Sequence, residues 1–242
     1  MAFTALLILL ALILVFLLVI YYPPKLLFDF MQWKHPGVLF HVPLPPTHRT
    51  VALTLDDCPS SSTSTMLDSL KKYNCKATFF IIGDQIPGYE HIVQRIHDEG
   101  HEVGNHAWTD EKTVLRPLPE IERQIKAVDA LLPTNSNGLK YFRPGGGFFS
   151  NKMVEMVTGL GYKVILGCVY PHDPQIWSAW VNSRHVLSMV RPGGIIIMHD
   201  RRLHSAPQLE LVLEGLTAKG WEVVSLGKML DIAGKVNGKK SG

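Results

Sequence analysis

The sequence is short of charge, of cysteine and of any marked excess of one sign. Charged residues fill 19% of the 242 positions, and the net charge is +3 with all 11 histidines neutral. So weak a bias, with no basic stripe interleaved with aromatics, gives no footprint for nucleic acid. Three cysteines, Cys58, Cys75 and Cys168, are too few for a disulfide framework. They permit one bridge and a free thiol, or no bridge, and so leave the compartment open. No Asn-x-Ser/Thr acceptor occurs, so glycosylation is silent on the same question. No Gly-x-Gly-x-x-Gly follows the first strand-like run, which removes support for a dinucleotide fold. There is no internal repeat and no low-complexity tract. The first 24 residues contain no Lys, Arg, Asp or Glu.

That last absence defines the first segment. Phe3 to Tyr22 is apolar throughout except for Thr4. At 1.5 Å per helical residue such a run covers roughly 30 Å, the hydrocarbon thickness of a bilayer. A cleaved leader would carry a basic start, a shorter apolar core and a small-x-small cleavage site. Here the core is long and runs into Tyr21-Tyr22-Pro23-Pro24. Residues 1–22 therefore read as a retained, single-pass transmembrane anchor. The tyrosines suit the interface and the prolines end the helix. Lys25 and Lys34 lie on the C-terminal side with no basic residue opposite, a two-charge difference that leaves the side of the membrane undecided.

Hydrophobic residues make up 46% of the chain, enough for one sizeable core. Residues 23–48, rich in proline and aromatics, read as a linker packed on the domain. Residues 231–242 read as a basic, flexible tail. Between them, in 49–230, short apolar runs alternate with helix-period segments. Strands are expected at Thr50–Leu55, Ala77–Ile82, Glu102–Val103, Tyr141–Phe142, Lys163–Leu166, Gly194–Met198 and Glu222–Ser225. Helices are expected around Met66–Tyr73 and Ile92–Ile96, at Pro117–Leu132, and at 150–159, 178–190 and 207–219. Repeated strand–helix units signify an α/β fold with parallel strands. A closed barrel and an open sheet both satisfy the pattern.

The unusual polar residues fall at strand ends: Asp56-Asp57, then His106 and Asp110, Arg143, Asp173, and His199-Asp200. In α/β barrels those ends form one face where catalytic groups converge. Singly, each has an ordinary explanation. An Asp pair caps helices, a His/Asp pair four apart decorates a surface, a glycine run makes a turn, and a histidine after Ile195–Met198 sits in a core. Together they support chemistry. Adjacent carboxylates can divide labour, one binding a cation and the other acting as a base. His106 and Asp110 would share a face if they lie on a helical turn. The glycines after Arg143 let backbone N–H groups approach a ligand.

The set resembles the polysaccharide deacetylases, carbohydrate esterase family 4, also called the NodB-homology domain. Leu53-Thr54-Leu55-Asp56-Asp57-Cys58-Pro59 is similar to Thr-Phe-Asp-Asp-Gly-Pro. Gly104-Asn105-His106-Ala107-Trp108-Thr109-Asp110 is similar to Asn-His-Thr-x-x-His. Arg143-Pro144-Gly145-Gly146-Gly147 is similar to Arg-Pro-Pro-Tyr-Gly, Asp173 stands at the Asp-Trp position, and Ile197-Met198-His199-Asp200 is similar to Leu-x-His-Asp. The motifs occur in family order over about residues 49–230. The resemblance implies a deformed (β/α)7 barrel here joined to an N-terminal transmembrane helix. It implies a metal-dependent hydrolase that removes acetyl groups from N-acetylglucosamine polymers such as chitin or peptidoglycan, or from acetylated xylan. Asp56 would be the base, tuned by Arg143, and His199 the acid, tuned by Asp173. Asp57, His106 and Asp110 would hold a divalent ion, zinc in the first place, with cobalt or manganese as alternatives. Gly146, Gly147, Trp108 and Trp177 would supply oxyanion and substrate contacts. Departures are clear: Asp110 replaces the second metal histidine, Cys58 a glycine, Gly145 and Gly146 a Pro and a Tyr, and Pro174 a Trp. The alternatives are a non-catalytic carbohydrate-binding relic and a hydrolase of a small cyclic amide or O-acetyl ester. The sequence carries no indication of oligomeric state.

Overall fold

The computed structural model describes residues 2–238. Its elements in chain order are α1 (Ala2–Tyr21), α2 (Lys25–Lys34), β1 (Val38–Leu39), β2 (Thr50–Cys58), α3 (Thr63–Lys72), β3 (Thr78–Ile81), α4 (Glu90–Asp98), β4 (Glu102–Asn105), α5 (Leu118–Asp129), β5 (Lys140–Phe142), α6 (Asn151–Gly159), β6 (Tyr162–Ile165), α7 (Ala179–Met189), β7 (Ile195–His199), α8 (Ser205–Ala218), β8 (Glu222–Val224) and α9 (Leu226–Gly238). The sheet runs β1-β6-β5-β4-β3-β2-β7, and β8 adds to the start of β2. Every ladder is parallel.

Parallel strands buried on both faces read as continuous apolar runs, and β2 is buried at every position. Its period of two still sorts the residues. Val51, Leu53 and Leu55 join a cluster with Leu67, Leu70, Val212 and Leu216 of the surrounding helices. Ala52 faces Phe80, Tyr141, Ile165 and Ile195 in the barrel interior. Thr54 and Asp56 continue that inner row. Among the described residues the sheet does not close by a ladder. Two isolated bridges join the far side, His41 with Gly194 and Val169 with Ile196. This incomplete seam is the deformation of the (β/α)7 barrel.

Two boundaries expected from the sequence change. Residues 23–48 are not a linker: they hold α2 and β1, and β1 pairs Val38 with Val164 and Leu39 with Ile165. The exposed edge of β6 needs a partner, and this segment supplies it. Residues 231–238 are not a free tail, because α9 continues through them with Met229 and Ala233 packed in the interior cluster. The remaining four residues of the expected tail lie outside the described residues. All three cysteines are buried and unpaired, including Cys58, which the core encloses.

Helix α1 stands apart. Phe3–Tyr21 has a mean hydropathy of 3.4 and none of it is buried within the protein, so it is long and apolar enough to cross a membrane. Its C-terminal end is docked: the Tyr22 hydroxyl donates to the Ser188 carbonyl at 2.7 Å.

The seam makes a testable demand on Gly193. Its φ is +74°, its N–H donates to the Thr50 carbonyl and its carbonyl accepts from Val42, each at 2.9 Å. A Cβ there would lie 1.7 Å from the Val42 oxygen. Gly220 has a similar φ of +70° with open space around it. Gly193→Ala should cost about 2–4 kcal/mol, and Gly220→Ala only about 1 kcal/mol. Denaturant titration of the two variants measures the difference, and equal losses would show that the seam contact is unimportant.

Candidate active site

Period two places Asp56 inside the barrel mouth and would place Asp57 outside. The backbone corrects this. Asp57 has φ +61°, and the β2–β3 register shifts between Leu55 and Cys58. The resulting bulge turns both carboxylates toward one pocket. Five described non-glycine residues have positive φ: Asp57, Asn74, Ala107, His172 and Arg201. All but Asn74 carry or adjoin a site residue, and backbone strain concentrates at such places.

The pocket holds about 560 Å³. Asp56, Asp57, His106, Asp110, Arg143 and His199 all line it, as do Gly146 and Gly147. Arg143 is 2% exposed. Its Nη1 donates to Asp56 Oδ1 at 2.5 Å and to Thr54 Oγ1 at 2.7 Å, and its Nη2 to the Leu166 carbonyl at 2.9 Å. Phe80 lies beneath it, 4.1 Å from the guanidinium carbon to the ring centre. Gly104 makes room for that ring, since a Cβ there would meet Phe80 at 2.6 Å. Burial pushes the Asp56 carboxyl up, but Arg143, His106 and His199 outweigh it and hold it below the ordinary carboxylate value.

His199 is the counterpart. Its Nδ1 meets Asp173 Oδ1 at 2.7 Å, and its backbone N–H donates to Asp173 Oδ2 at 2.8 Å. Asp173 is buried behind the pocket wall and is held in turn by Gln208, whose Nε2 donates to Oδ2 at 3.4 Å. Burial pulls the His199 pKa down, but Asp173, with Asp56 and Asp57, raises it to about 9. The ring is therefore an imidazolium at neutral pH, with Nδ1–H fixed on Asp173 and Nε2–H left as the acidic position.

His106 donates from Nδ1 to the Arg143 carbonyl at 2.7 Å, a bond only an N–H can make to a carbonyl oxygen. In the neutral form of the ring its Nε2 carries a lone pair, 3.7 Å from Asp57 Oδ1. An imidazole nitrogen and a carboxylate so placed are sound donors for a divalent ion. Asp110 does not complete the set as expected. Ala107 has φ +65° and residues 106–110 form no helical turn, with 108–110 as bends, so the i, i+4 relation fails. The Asp110 side chain is half exposed and accepts from Arg201 Nη1 at 3.1 Å. Among the described residues no three His, Cys, Asp or Glu side chains are grouped to hold a metal. The donors fit an ion at two positions.

Other expectations shift too. Trp108 does not line the pocket; its ring packs over Gly83, where a Cβ would meet it at 2.5 Å. Trp177 lies on an adjoining groove. Gly147 already donates its N–H to the Pro144 carbonyl at 3.0 Å. Gly146, exposed on the wall with φ +73°, keeps the oxyanion role open for its N–H. Gly145 has its own use, since a Cβ there would strike the Glu111 carbonyl oxygen. Sequence reasoning missed Arg202, whose Nη1 lies 3.1 Å from Asp57 Oδ2, and Tyr170, which stands edge-on to His199 at 5.8 Å. The Arg201-Arg202 pair directly after His199-Asp200 was the available signal for the first.

With this geometry in view, residues 44–165 match the family model for polysaccharide deacetylases. The chain belongs to the polysaccharide deacetylase family. It is 32% identical over 190 residues to the peptidoglycan-N-acetylglucosamine deacetylase PgdA of Listeria monocytogenes, covering 78% of this chain and 40% of that protein. The chain thus spans about two-fifths of that relative's length. The structure of peptidoglycan deacetylase PdaC from Bacillus subtilis superposes with a TM-score of 0.73 at 27% identity, covering 81% of this chain and 97% of that one. The Bc1960 peptidoglycan N-acetylglucosamine deacetylase gives 0.74 at 28% identity, covering 82% and 95%.

The Asp173 contact generates a prediction. Asp173→Asn removes the charge that raises His199, so the His199 midpoint should fall from about 9 toward the ordinary value of 6.5. The folded state then loses the stabilisation that the wild type holds below about pH 6.5 and gives up as pH rises through 9. NMR titration of the imidazole reads this directly. An unmoved midpoint would dissociate Asp173 from the His199 charge.

Proposed function

We propose that this protein is a metal-dependent N-deacetylase acting on glycans that contain N-acetylglucosamine, held at a membrane by α1 as a single span. The observation that carries the reading is two groups of opposite charge side by side in one pocket, since Asp56 and His199 are register partners on β2 and β7. Asp56 is held as the carboxylate by Arg143, and His199 is held as the imidazolium by Asp173. One accepts a proton and the other donates one, which is the pairing that amide hydrolysis needs.

A divalent ion at Asp57 and His106 would supply a more acidic water and polarise the acetyl carbonyl. Asp56 takes the proton from the attacking water as the new C–O bond forms. The N–H of Gly146 faces the oxygen that gains charge. The Nε2–H of His199 passes to the amide nitrogen as the C–N bond breaks, since an unprotonated amine is a very poor leaving group. The products are a free amine on the sugar and acetate. Asp110 would join Asp57 and His106 only by leaving Arg201.

Acetate release from chitin oligomers, peptidoglycan fragments and acetylxylan, run with a panel of divalent metals, tests the reading. Asp56→Asn and His199→Ala should each lower turnover by about 10²–10⁴-fold. Wild-type rates in either variant would remove that residue from the chemistry. Calorimetric zinc titration addresses Asp110: Asp110→Ala should weaken binding and Arg201→Ala should strengthen it. Unchanged affinity in both would place Asp110 outside the metal site. The span is checked separately, since full-length protein extracted from membranes by carbonate would not be a transmembrane one.

A further inference from the structure

The end of α1 is bound to the wall of the pocket. The Tyr21 ring stacks on His172, with centroids 5.0 Å apart and planes 20° apart, and lies 4.3 Å from His185 of α7. The Tyr21 carbonyl faces His172 Nε2 at 3.1 Å. His172 directly precedes Asp173, the partner of His199. Its ring stands 4.9 Å from Tyr170, and Tyr170 stands 5.8 Å from His199. Three ring contacts therefore lead from the last turn of the apolar helix to the catalytic histidine. With α1 in a bilayer, its terminal tyrosines lie at the lipid–water interface. The pocket wall at Tyr170, Pro174 and Gln175 is then held within a few residues of that interface.

A second feature adjoins the same wall. An open groove of about 660 Å³ is lined by Pro174, Trp177, Arg202, Leu203, His204 and Pro207. It shares Pro174 and Arg202 with the catalytic pocket, so the two cavities adjoin. Leu203 is fully exposed, Trp177 is 85% exposed and Trp180 is 61% exposed. Isolated exposed apolar residues are ordinary, but several around one opening mark a surface that something covers. Trp180 opens the same helix whose His185 and Ser188 receive Tyr21 and Tyr22. A polysaccharide would use aromatic faces as platforms. Leu203, Pro174 and Pro207 offer no such platform and suit a hydrocarbon.

We propose that the substrate is lipid-linked: an acetamido sugar enters the pocket at Asp56 and His199 while its lipid chain lies in the groove of Trp177 and Leu203, at the other end of α7 from the docked end of α1. This assigns a substrate class and rests on the deacetylase and single-span readings above. The test uses the full chain reconstituted in phosphatidylcholine vesicles. Acetate release is compared for the hexadecyl and the methyl glycoside of the same N-acetylated disaccharide. The hexadecyl glycoside should have a kcat/KM higher by about tenfold or more, the worth of burying two methylenes. Leu203→Ser and Trp177→Ser, both at exposed positions, should reduce that ratio several-fold through KM. Equal kcat/KM for the two glycosides leaves the deacetylase reading standing and overturns this one. A preference that neither substitution reduces reflects partition into vesicles alone and also overturns it. Release from neither glycoside, nor from the soluble oligomers, overturns the deacetylase reading and this inference with it.

Discussion

The buried pair of Arg143 and Asp56 is the interaction on which the rest of the site depends. The guanidinium reaches Thr54 and Asp56 on β2 and the carbonyls of Ile165 and Leu166 at the end of β6. It therefore ties opposite sides of the barrel mouth together. Its own backbone carbonyl receives the Nδ1 proton of His106 and so sets which nitrogen of that ring is free. Removing one partner of a buried pair leaves an uncompensated charge, at a cost of about 3–5 kcal/mol. The residue that holds Asp56 ionised is thus also a structural tie, and stability and the proposed chemistry share one contact.

The second pair, His199 with Asp173, repeats the logic with the opposite sign. A buried carboxylate keeps a proton on the imidazole where a buried guanidinium keeps one off Asp56. The two supports come from different parts of the chain, and the two charges also reinforce each other: His199 helps hold Asp56 ionised, and Asp56 helps hold His199 protonated. Each is held by a charge of the sign opposite to its own, which is the environment-driven separation of pKa values that lets one pocket run both roles.

Much of this was legible in the sequence because strand period and strand ends are local properties. The inner row Ala52, Thr54, Asp56 follows from counting by two, and the alternation of strand and helix gives the α/β class. What escaped was set by backbone turns and distant partners. A turn at the strand end was needed to bring Asp56 and Asp57 into one pocket, but its form, φ +61° at Asp57 with a register shift, is not legible in the residue types. The i, i+4 spacing of His106 and Asp110 suggested a shared face, but Ala107 breaks the helical turn and Arg201, 91 residues on, takes the carboxylate. Trp108 looked available for substrate until Gly83 proved to be the surface it covers. Residues 23–48 looked like a linker because a two-residue strand has no pattern of its own; only the open edge of β6 gives Val38–Leu39 a place.

That short strand also fixes an order of assembly. Val38 and Leu39 are synthesised early, immediately after the apolar helix and α2, yet their partners on β6 and the bridging Gly194 come far later in the chain. The contact is strongly non-local, and the loop between the two ends must be closed before it yields any stabilisation. The seam of the barrel is therefore a late contact, although β8 and α9 still follow it in the chain. Until β6 emerges, the N-terminal segment has no partner for its strand. Closure of the seam at His41 and Gly194 and docking of Tyr21 and Tyr22 onto α7 both wait for chain beyond β6, so the N-terminal segment can be seated at its two ends only after α7 and β7 have been made.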